Sequence, residues 1–358
     1  MYIRLPLLLL ILSVLASSAR AQELSSSESE TELRISTDML DAVVRKKGYV
    51  TGVAAGTLLD KKTGSRDPGY GLDIVDWIME PGSDEAHRDK LPDHMVYRFG
   101  NSYHGQGAKR SLEGPQICTQ AKALSPFAIK GESFIAVKQQ YAYPLAAPGY
   151  KHGSTWSQIM VFPKGKRYFV STDRIDAVNA SDAMFLRIDM PGHVKHKAGS
   201  SFSEIYLSYP TYGFDKDGNP IEGTRREPGV IAAKEFNEDF APDAKFNYRR
   251  DAFDKPPKRF IRAIHLRDPV TGKEGPWLAG FTLDPSVVYE AWCHQRGYIC
   301  MIEEFGGRPI KPGESFSAAF IVGYFDSIEE MHKVYDAHAG HDGLVADAKG
   351  WKLTNSRK

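Results

Sequence analysis

The residue types best suited to proton transfer are concentrated in the segment RIDMPGHVKH, residues 187–196. Alternate residues of a strand share a face, so Arg187 and Asp189 are predicted to point the same way. The Pro-Gly pair that follows predicts a turn that carries His193 beyond the edge of the sheet. A histidine there can serve as general acid or base, because its ordinary pKa lies close to neutrality. The alternative is a solvated loop histidine without a role.

His193 and His196 also form an H-x-x-H pair, and both rings offer nitrogens that ligate metals. The pair has fewer ligands than a zinc site needs, and a third ligand such as His104 would have to come through the fold. We therefore expect no cofactor, with a divalent metal ion as the alternative.

Arg110, Glu113 and Gln116 lie in the polar, glycine-containing segment that follows His104. Arginine and glutamine side chains in such a segment can bind the carboxylate or hydroxyl groups of a ligand, which predicts a ligand-facing loop. The alternative is an ordinary turn followed by one strand.

The candidate site is completed by five residues that lie later in the chain. Glu303 and Glu304 end the strand-like run YICMIEE, and one of them must point to each face of a sheet. A buried carboxyl there would be tuned as an acid or base, whereas a solvated edge pair is the alternative. Tyr248 and Arg249 suit uronate chemistry, in which arginine neutralises the carboxylate while tyrosine or histidine moves the proton. Trp292 can stack on a sugar ring, although most such aromatic residues only pack.

The pattern of the chain around these residues predicts β-structure. Short runs rich in tyrosine, phenylalanine and branched residues are separated by turn residues. We expect an all-β fold, a large antiparallel two-sheet sandwich that forms a single domain over residues 33–345. Long loops are predicted at 65–94, around the strand GLDIVDWIM, and at 213–259.

One helix is predicted near the end of this domain. Asp326 or Ser327 can cap its first turn, Met331 and Tyr335 lie on its apolar stripe, and Gly340 ends it. Residues 346–358 are predicted to form a tail.

The first 21 residues have the pattern of a cleavable secretory signal. Arg4 precedes an apolar run, and the small residues end in A-R-A at 19–21. The run is shorter than the roughly 20 apolar residues that span a bilayer. We expect a secreted or periplasmic protein, with a disordered leader over residues 22–32 because these are rich in serine and glutamate.

Charge and motifs exclude several classes of protein. The chain has 46 Lys and Arg against 45 Asp and Glu, a formal net charge of +1 at pH 7. This balance predicts no nucleic-acid partner, and after cleavage no membrane partner is expected. The sequence holds no G-x-S-x-G elbow, P-loop or Rossmann glycine pattern in a strand-helix context.

The three cysteines leave two alternatives open. Cys293 and Cys300 either form a disulfide across a hairpin, as an oxidising compartment allows, or are two buried thiols. Cys118 would then be a remaining thiol, which we expect to be buried.

Three segments, in order, resemble the galactose mutarotase-like superfamily. They are NSYHGQGAKRSLEGP, RYFVSTDRIDAVNASDAMFLRIDMPGHVKH and ICMIEEFGGRPIKPGESFSAAFIVGYF, all within residues 100–325. The resemblance implies a two-sheet β-supersandwich, a His-Gly segment at His104, a strand that delivers His193, and a mutarotase-type base at Glu303 or Glu304. The chain departs from the aldose epimerases because no aromatic residue follows His193 closely. The same sandwich occurs in polysaccharide lyases and in non-catalytic sugar-binding modules.

Export and the resemblance together predict a secreted carbohydrate-active enzyme. A polysaccharide lyase that cleaves uronate-containing glycans by β-elimination is the leading hypothesis, with poly- or oligosaccharide as the partner. An aldose 1-epimerase-like enzyme and a non-catalytic carbohydrate-binding protein are the alternatives. The predicted catalytic residues are His193, His104, Glu303 and Tyr248. The predicted substrate-binding residues are Arg110, Glu113, Gln116, Arg187, Asp189, His196, Arg249 and Trp292.

Overall fold

A computed structural model describes residues 24–82, 109–195, 200–215, 218–238, 240, 244–293 and 298–356 of the chain. Strands dominate these ranges, and the strands pair antiparallel in three larger sheets and one hairpin. The prediction of an all-β fold is confirmed. The part of the chain that the structure describes holds no helix long and apolar enough to span a membrane.

The four-stranded sheet I lies at the start of the described chain. Its strands in order are β1 (Ser25–Glu28), β2 (Glu32–Ser36), β3 (Leu40–Arg45) and β5 (Leu59–Asp60). The predicted disordered leader over 22–32 therefore includes a strand, β1, whose four residues pair with Leu33–Ser36 of β2. The prediction from composition was wrong here. All side chains of this edge strand are exposed and can therefore be polar, because backbone hydrogen bonds to the neighbouring strand hold it in place.

The eight-stranded sheet II carries most of the candidate residues. Its main path runs β10 (Leu145–Ala146), β7 (Lys109–Gly114), β6 (Gly69–Pro81), β13 (Ser181–Lys195), β20 (Tyr298–Ile310), β19 (Val288–Trp292) and β16 (Tyr248–Arg249). The short strand β4 (Val53–Ala54) pairs with β6 off this path.

The nine-stranded sheet III lies opposite. Its order is β15 (Gly229–Ala232), β14 (Phe202–Leu207), β17 (Ile261–Arg267), β18 (Glu274–Thr282), β21 (Ser315–Phe325), β12 (Tyr168–Asp176), β11 (Thr155–Pro163), β9 (Phe134–Ala142) and β8 (Phe127–Lys130).

The main core lies between sheets II and III. Leu186, Ile188 and Met190 of β13 belong to the same buried cluster as Phe320 and Val322 of β21. The two sheets approach so closely that a Cβ on Gly280 of β18 would meet the Met190 sulfur at 2.1 Å. Alternation in β13 therefore leaves its other residues on the face of sheet II that points away from sheet III.

A second core covers the far side of sheet III. The helix α2 (Ile328–His338) follows a short helix α1 (Ile117–Gln120) in chain order and is capped by Ser327, whose hydroxyl accepts from the Glu330 amide at 3.1 Å. Its buried Met331 and Tyr335 pack with Phe281 of sheet III. The predicted helix is confirmed, because its cap and stripe are local signals.

The C-terminal residues also contribute to this second core. Residues predicted as a tail form most of a hairpin, β22 (Gly343–Asp347) and β23 (Gly350–Thr354). Leu344 and Ala346 of this hairpin are buried in the same cluster as α2.

The two predicted long loops differ in content. Within 65–94, residues 69–81 form β6, and residues 83–94 lie outside the described part. The described parts of 213–259 hold β15, β16 and two 3-10 turns, Ala233–Phe236 and Arg250–Ala252, with irregular chain between them.

Candidate functional site

The candidate site is the face of sheet II that points away from sheet III, called the outer face below. On β13, Arg187 and Asp189 point to this face because Leu186 and Ile188 fill the core. Across the ladder Arg187 pairs with Glu304 and Asp189 with Ile302. Glu304 therefore shares the outer face with Arg187.

An irregularity in β13 brings His193 next to Asp189. The register pairs Asp189 with Ile302 and His193 with Cys300, so four residues along β13 span only two along β20. This bulge contains Pro191, which fits because proline within a sheet is confined to edges and bulges. His193 thus stays within the strand, and the predicted turn beyond the sheet edge is corrected to a bulge inside it.

Three different donor groups meet at this bulge. His193 Nε2 lies 2.7 Å from Asp189 Oδ1 and 3.3 Å from Cys300 Sγ. One ligand-type atom from each of the three side chains lies within 4.8 Å of the others. Asp189 and Cys300 are buried, whereas the His193 side chain is 18% exposed. We call these three residues the triad.

The surroundings shift the pKa values of His193 and Cys300. Burial opposes protonation of His193, but Asp189 and Cys300 outweigh it and hold the pKa of the imidazole well above its ordinary value. Burial raises the pKa of the Cys300 thiol to about 11, although His193 acts in the opposite direction. In this arrangement the imidazole is the protonated partner and the thiol is neutral near pH 7.

Asp76 of β6 is a second carboxyl at the triad. Its Oδ1 accepts from Gln116 Nε2 at 2.6 Å and from the Cys118 thiol at 3.3 Å. Burial and the neighbouring Asp189 raise the pKa of Asp76 to about 6, against the opposing effect of Arg187. The outer face thus holds a carboxyl that titrates close to neutrality beside the imidazole.

A buried network of charges continues along the same face. Glu304 accepts from Arg187 Nε at 2.8 Å and from Lys109 Nζ at 2.7 Å, and Lys109 also binds Glu290. All four side chains are at most 2% exposed. Burial is the main cause that raises the pKa of Glu290, with Glu304 adding to it and Lys109 opposing it. Arginine and lysine are here already bound to carboxylates.

Aromatic rings line this network. The Arg187 guanidinium lies 5.2 Å from the Trp292 ring centre, and Lys109 Nζ lies 5.5 Å from that of Phe185. Nearer the triad, the Tyr70 ring meets His193 edge-on with centroids 6.1 Å apart. Tyr70 is 39% exposed, so its ring offers an accessible apolar surface next to the imidazole.

The structure brings several of the predicted site residues together. His193, Asp189 and Arg187 lie on one strand face, Gln116 reaches them through Asp76, and Trp292 packs beside Arg187. Trp292 is fully buried, so in this structure it supports Arg187 rather than presenting a ring to a sugar.

Other predicted residues lie elsewhere. Glu303 points into the core between the sheets, where it pairs with Arg262 at 2.7 Å and accepts from Thr282. Tyr248 is fully buried there too, stacked on Phe253 with ring centroids 5.3 Å apart.

The remaining predictions have separate outcomes. Arg249 lies at the far edge strand, beside Glu290 and three strands from His193. Glu113 binds Ser154 and Asn179, and Arg110 binds Glu80 at 2.7 Å, which are structural contacts. His104 and His196 lie outside the described residues.

Five residues of the face were missed from the sequence. These are Tyr70, Asp76, Lys109, Glu290 and Cys300 in its site role. Asp76 had a usable signal, because an aspartate inside an apolar strand run is rarely buried without a partner. The others depend on which strands pair, and their local sequence does not show it.

Among known proteins, the chain is similar only to solved structures. No protein-family model matches the chain, and no curated protein matches it. The galactose 1-epimerase from Lactobacillus acidophilus is 10% identical with a TM-score of 0.43, covering 85% of this chain and 98% of its own. A galactose mutarotase-like protein from Clostridium acetobutylicum gives the same identity and TM-score, with 85% and 99% covered. A galactose mutarotase-like protein from Lactobacillus casei is 12% identical at a TM-score of 0.41, with 85% and 100% covered.

These structures are named for the superfamily that the sequence resembles. At such identities and TM-scores the likeness says nothing of substrate or chemistry.

Proposed function

We propose that this protein is a carbohydrate-active enzyme whose substrate binds at the outer face of sheet II. The observation that carries the proposal is the pair His193 and Asp189, 2.7 Å apart, beside the buried carboxyl of Asp76, whose pKa both of them affect. Sugars are bound by hydrogen-bonding polar groups beside an aromatic ring, and Tyr70 supplies an accessible ring at the imidazole.

The proposed chemistry is proton transfer. His193 is the group that exchanges a proton with the sugar, and Asp189 orients its ring. Asp76 is the second proton-transfer group. An acid and a base on the same face are the minimum that a reaction at a sugar's anomeric centre requires, since one oxygen gains a proton while another loses one.

The ion pairs of the face favour a neutral sugar. Arg187 and Lys109 both hold Glu304, and Lys109 also holds Glu290. A uronate carboxylate would have to displace a protein carboxylate to reach either cation. Interconversion of anomers needs no such cation: a base takes the anomeric hydroxyl proton, an acid protonates the ring oxygen, and the ring opens. We therefore rank aldose 1-epimerase-type chemistry first.

Uronate lyase chemistry is the second candidate, supported by one feature of Arg187. Glu304 would keep Lys109 as a partner if Arg187 turned to a substrate carboxylate. Arg187 would then neutralise the uronate while the Asp76 carboxylate removes the C5 proton, the C4–O bond breaks as the C4–C5 double bond forms, and protonated His193 gives its proton to the leaving oxygen. The expected secretory signal fits a polysaccharide substrate.

The decisive test compares wild type with His193→Gln. Wild type should accelerate the approach of freshly dissolved aldoses to anomeric equilibrium, measured by NMR or polarimetry. His193→Gln should lose about 100-fold or more, because that is what a general acid-base group contributes. His265→Gln is the matched control, since His265 stacks on Trp277 of sheet III and should leave the rate unchanged.

Other outcomes decide between the candidates. One such outcome is that uronate polymers give the ultraviolet absorbance of an unsaturated product while the rate of anomer interconversion is unchanged. This result would contradict the epimerase-type candidate and support the lyase. Sugar binding without turnover of any substrate would contradict the enzyme proposal and leave a carbohydrate-binding protein.

A further inference from the structure

The triad combines a carboxylate, an imidazole and a thiol, which are three kinds of metal ligand. The atoms Asp189 Oδ1, His193 Nε2 and Cys300 Sγ lie within 4.8 Å of one another. Zinc is bound in proteins by these donors, with bonds of about 2.0–2.3 Å. Ligands around one such ion lie roughly 3–4 Å apart, because tetrahedral bonds of that length set this spacing.

The contacts argue against a nucleophilic thiol. In a nucleophile-base-orienter arrangement the two partners bind opposite nitrogens of the imidazole. Here Asp189 and Cys300 both approach Nε2, at 2.7 and 3.3 Å. The three donor atoms therefore converge on one region of space instead of forming a relay through the ring.

We propose that Asp189, His193 and Cys300 bind a divalent zinc-class ion. A borderline-soft ion matches the mixed oxygen, nitrogen and sulfur donors better than magnesium or calcium, which prefer oxygen ligands. The partly exposed edge of His193 gives the ion a route to two otherwise buried ligands. A fourth position is left for water or a sugar hydroxyl.

The neighbouring charges suit a cation. Asp76 adds a second buried carboxyl near the triad, and it is held in place by Gln116 at 2.6 Å. The nearest buried arginine, Arg187, is bound to Glu304. A divalent ion would therefore add positive charge where two carboxyl groups lie close together.

Binding would regulate the reaction proposed above, and this consequence alone rests on the proposed function. Coordination uses the Nε2 lone pair and the thiolate, so the thiol proton and any imidazole proton pass to the buffer. While the ion is bound, His193 cannot exchange protons with a sugar. Zinc should therefore inhibit competitively with protons, and a chelator should restore activity.

The test is titration of the chelator-treated full-length protein with Co²⁺ and then Zn²⁺. Co²⁺ should bind one per chain and give a thiolate-to-metal charge-transfer band with visible bands of tetrahedral cobalt, which Zn²⁺ bleaches. Proton release measured in weakly buffered solution should accompany binding. A wild-type protein that shows no such band or binds no ion overturns the site.

Two cysteine variants make the test specific. Cys300→Ser should abolish the charge-transfer band and weaken Zn²⁺ binding about tenfold or more, since even changes in the outer partners of a metal ligand cost that much. Cys293→Ser is the matched control, because Cys293 is an equally buried free thiol outside the triad. If Cys300→Ser does not fold, His193→Gln serves in its place, because its ring edge is partly exposed.

The two proposals fail separately. Equal Zn²⁺ affinity in a folded triad variant and wild type overturns the metal site, whatever the activity. Metal binding without loss of sugar turnover overturns the inhibition and supports the site. Metal binding by a protein that turns over no sugar supports the site while contradicting the proposed function.

Discussion

Asp73 and Asp173 form a buried carboxyl pair between the two large sheets. Asp73 belongs to β6 of sheet II and Asp173 to β12 of sheet III, and the two side chains hydrogen-bond each other. Trp156 Nε1 donates to Asp173 Oδ1 at 2.9 Å, and Ser171 donates to Asp73. Burial is the main cause that raises the pKa of Asp73 to about 6 and that of Asp173 well above its usual range. Two adjacent carboxyls in the core thus share a proton.

This pair predicts a pH-dependent stability. Folded pKa values above the unfolded ones mean that the folded state binds more protons, so stability falls as pH rises from about 4 through 6 and beyond. The loss from Asp73 alone reaches about 3 kcal/mol, since each pKa unit corresponds to about 1.4 kcal/mol. Asp173→Asn should flatten this slope, because the amide keeps both hydrogen bonds without ionising. Urea unfolding between pH 4 and 8 measures it.

The half-exposed Asp176 on the same strand as Asp173 is the control. It pairs with Arg174 at the surface, and Asp176→Asn should change stability by less than about 0.5 kcal/mol with an unaltered slope. A wild-type stability that is level over this pH range would contradict the shared-proton interpretation.

At the scale of elements, the bulge in β13 determines the site. Alternation correctly predicted that Arg187 and Asp189 share a strand face, whereas the Pro-Gly pair predicted a turn beyond the sheet edge where the structure has a bulge. The sequence did not reveal that His193 lies 3.3 Å from Cys300, which is 107 residues later in the chain. Nor did it reveal that Asp76, on the much earlier strand β6, lies near enough for His193 to affect its pKa. Cross-strand neighbours follow from register, and register is set by pairing across the whole sheet.

Gly192 makes the bulge possible. Its backbone lies so close to β6 that an added Cβ would be 1.9 Å from the Gly71 carbonyl oxygen. Gly192→Ala should therefore push β6 and β13 apart, cost about 1–3 kcal/mol as overpacking does, and separate His193 from Asp189. Urea unfolding, sugar turnover and cobalt binding should all report this change.

Gly350 provides the comparison for that substitution. A Cβ there meets nothing within 4 Å, so Gly350→Ala should leave stability and both site functions close to wild type. A Gly192→Ala protein with native stability and native cobalt binding would show that the bulge does not position the triad.

At the scale of the whole molecule, the features that depend on local sequence were predictable, and those that depend on pairing between distant strands were not. The helix α2 was predictable because its cap at Ser327 and its stripe at Met331 and Tyr335 are adjacent in sequence. The polar strand β1 and the C-terminal hairpin were not, because their stability comes from backbone pairing and from packing against distant strands. The β class itself was predictable because alternation recurs in many runs.

Glu303 and Glu304 show the same contrast between local and long-range information within one dipeptide. Strand geometry requires that they point to opposite faces, and they do. Which one reaches the site depends on where sheet III lies, since Arg262 of β17 binds Glu303 at 2.7 Å. Glu303 therefore joins the two sheets, whereas Glu304 belongs to the charged network of the outer face.

The paired substitutions Glu303→Gln and Glu304→Gln should separate folding from function. Glu303→Gln leaves the buried Arg262 cation without its carboxylate and should cost about 3–5 kcal/mol, while the turnover of the folded protein stays near wild type. Adding Arg262→Met should recover part of that loss, because the unpaired charge is then removed. Glu304→Gln removes the carboxylate that holds Arg187. Because Arg187 lies next to Asp189 on the outer face, this substitution should alter turnover. If Glu303→Gln lost turnover without losing stability, the outer face would not be the site.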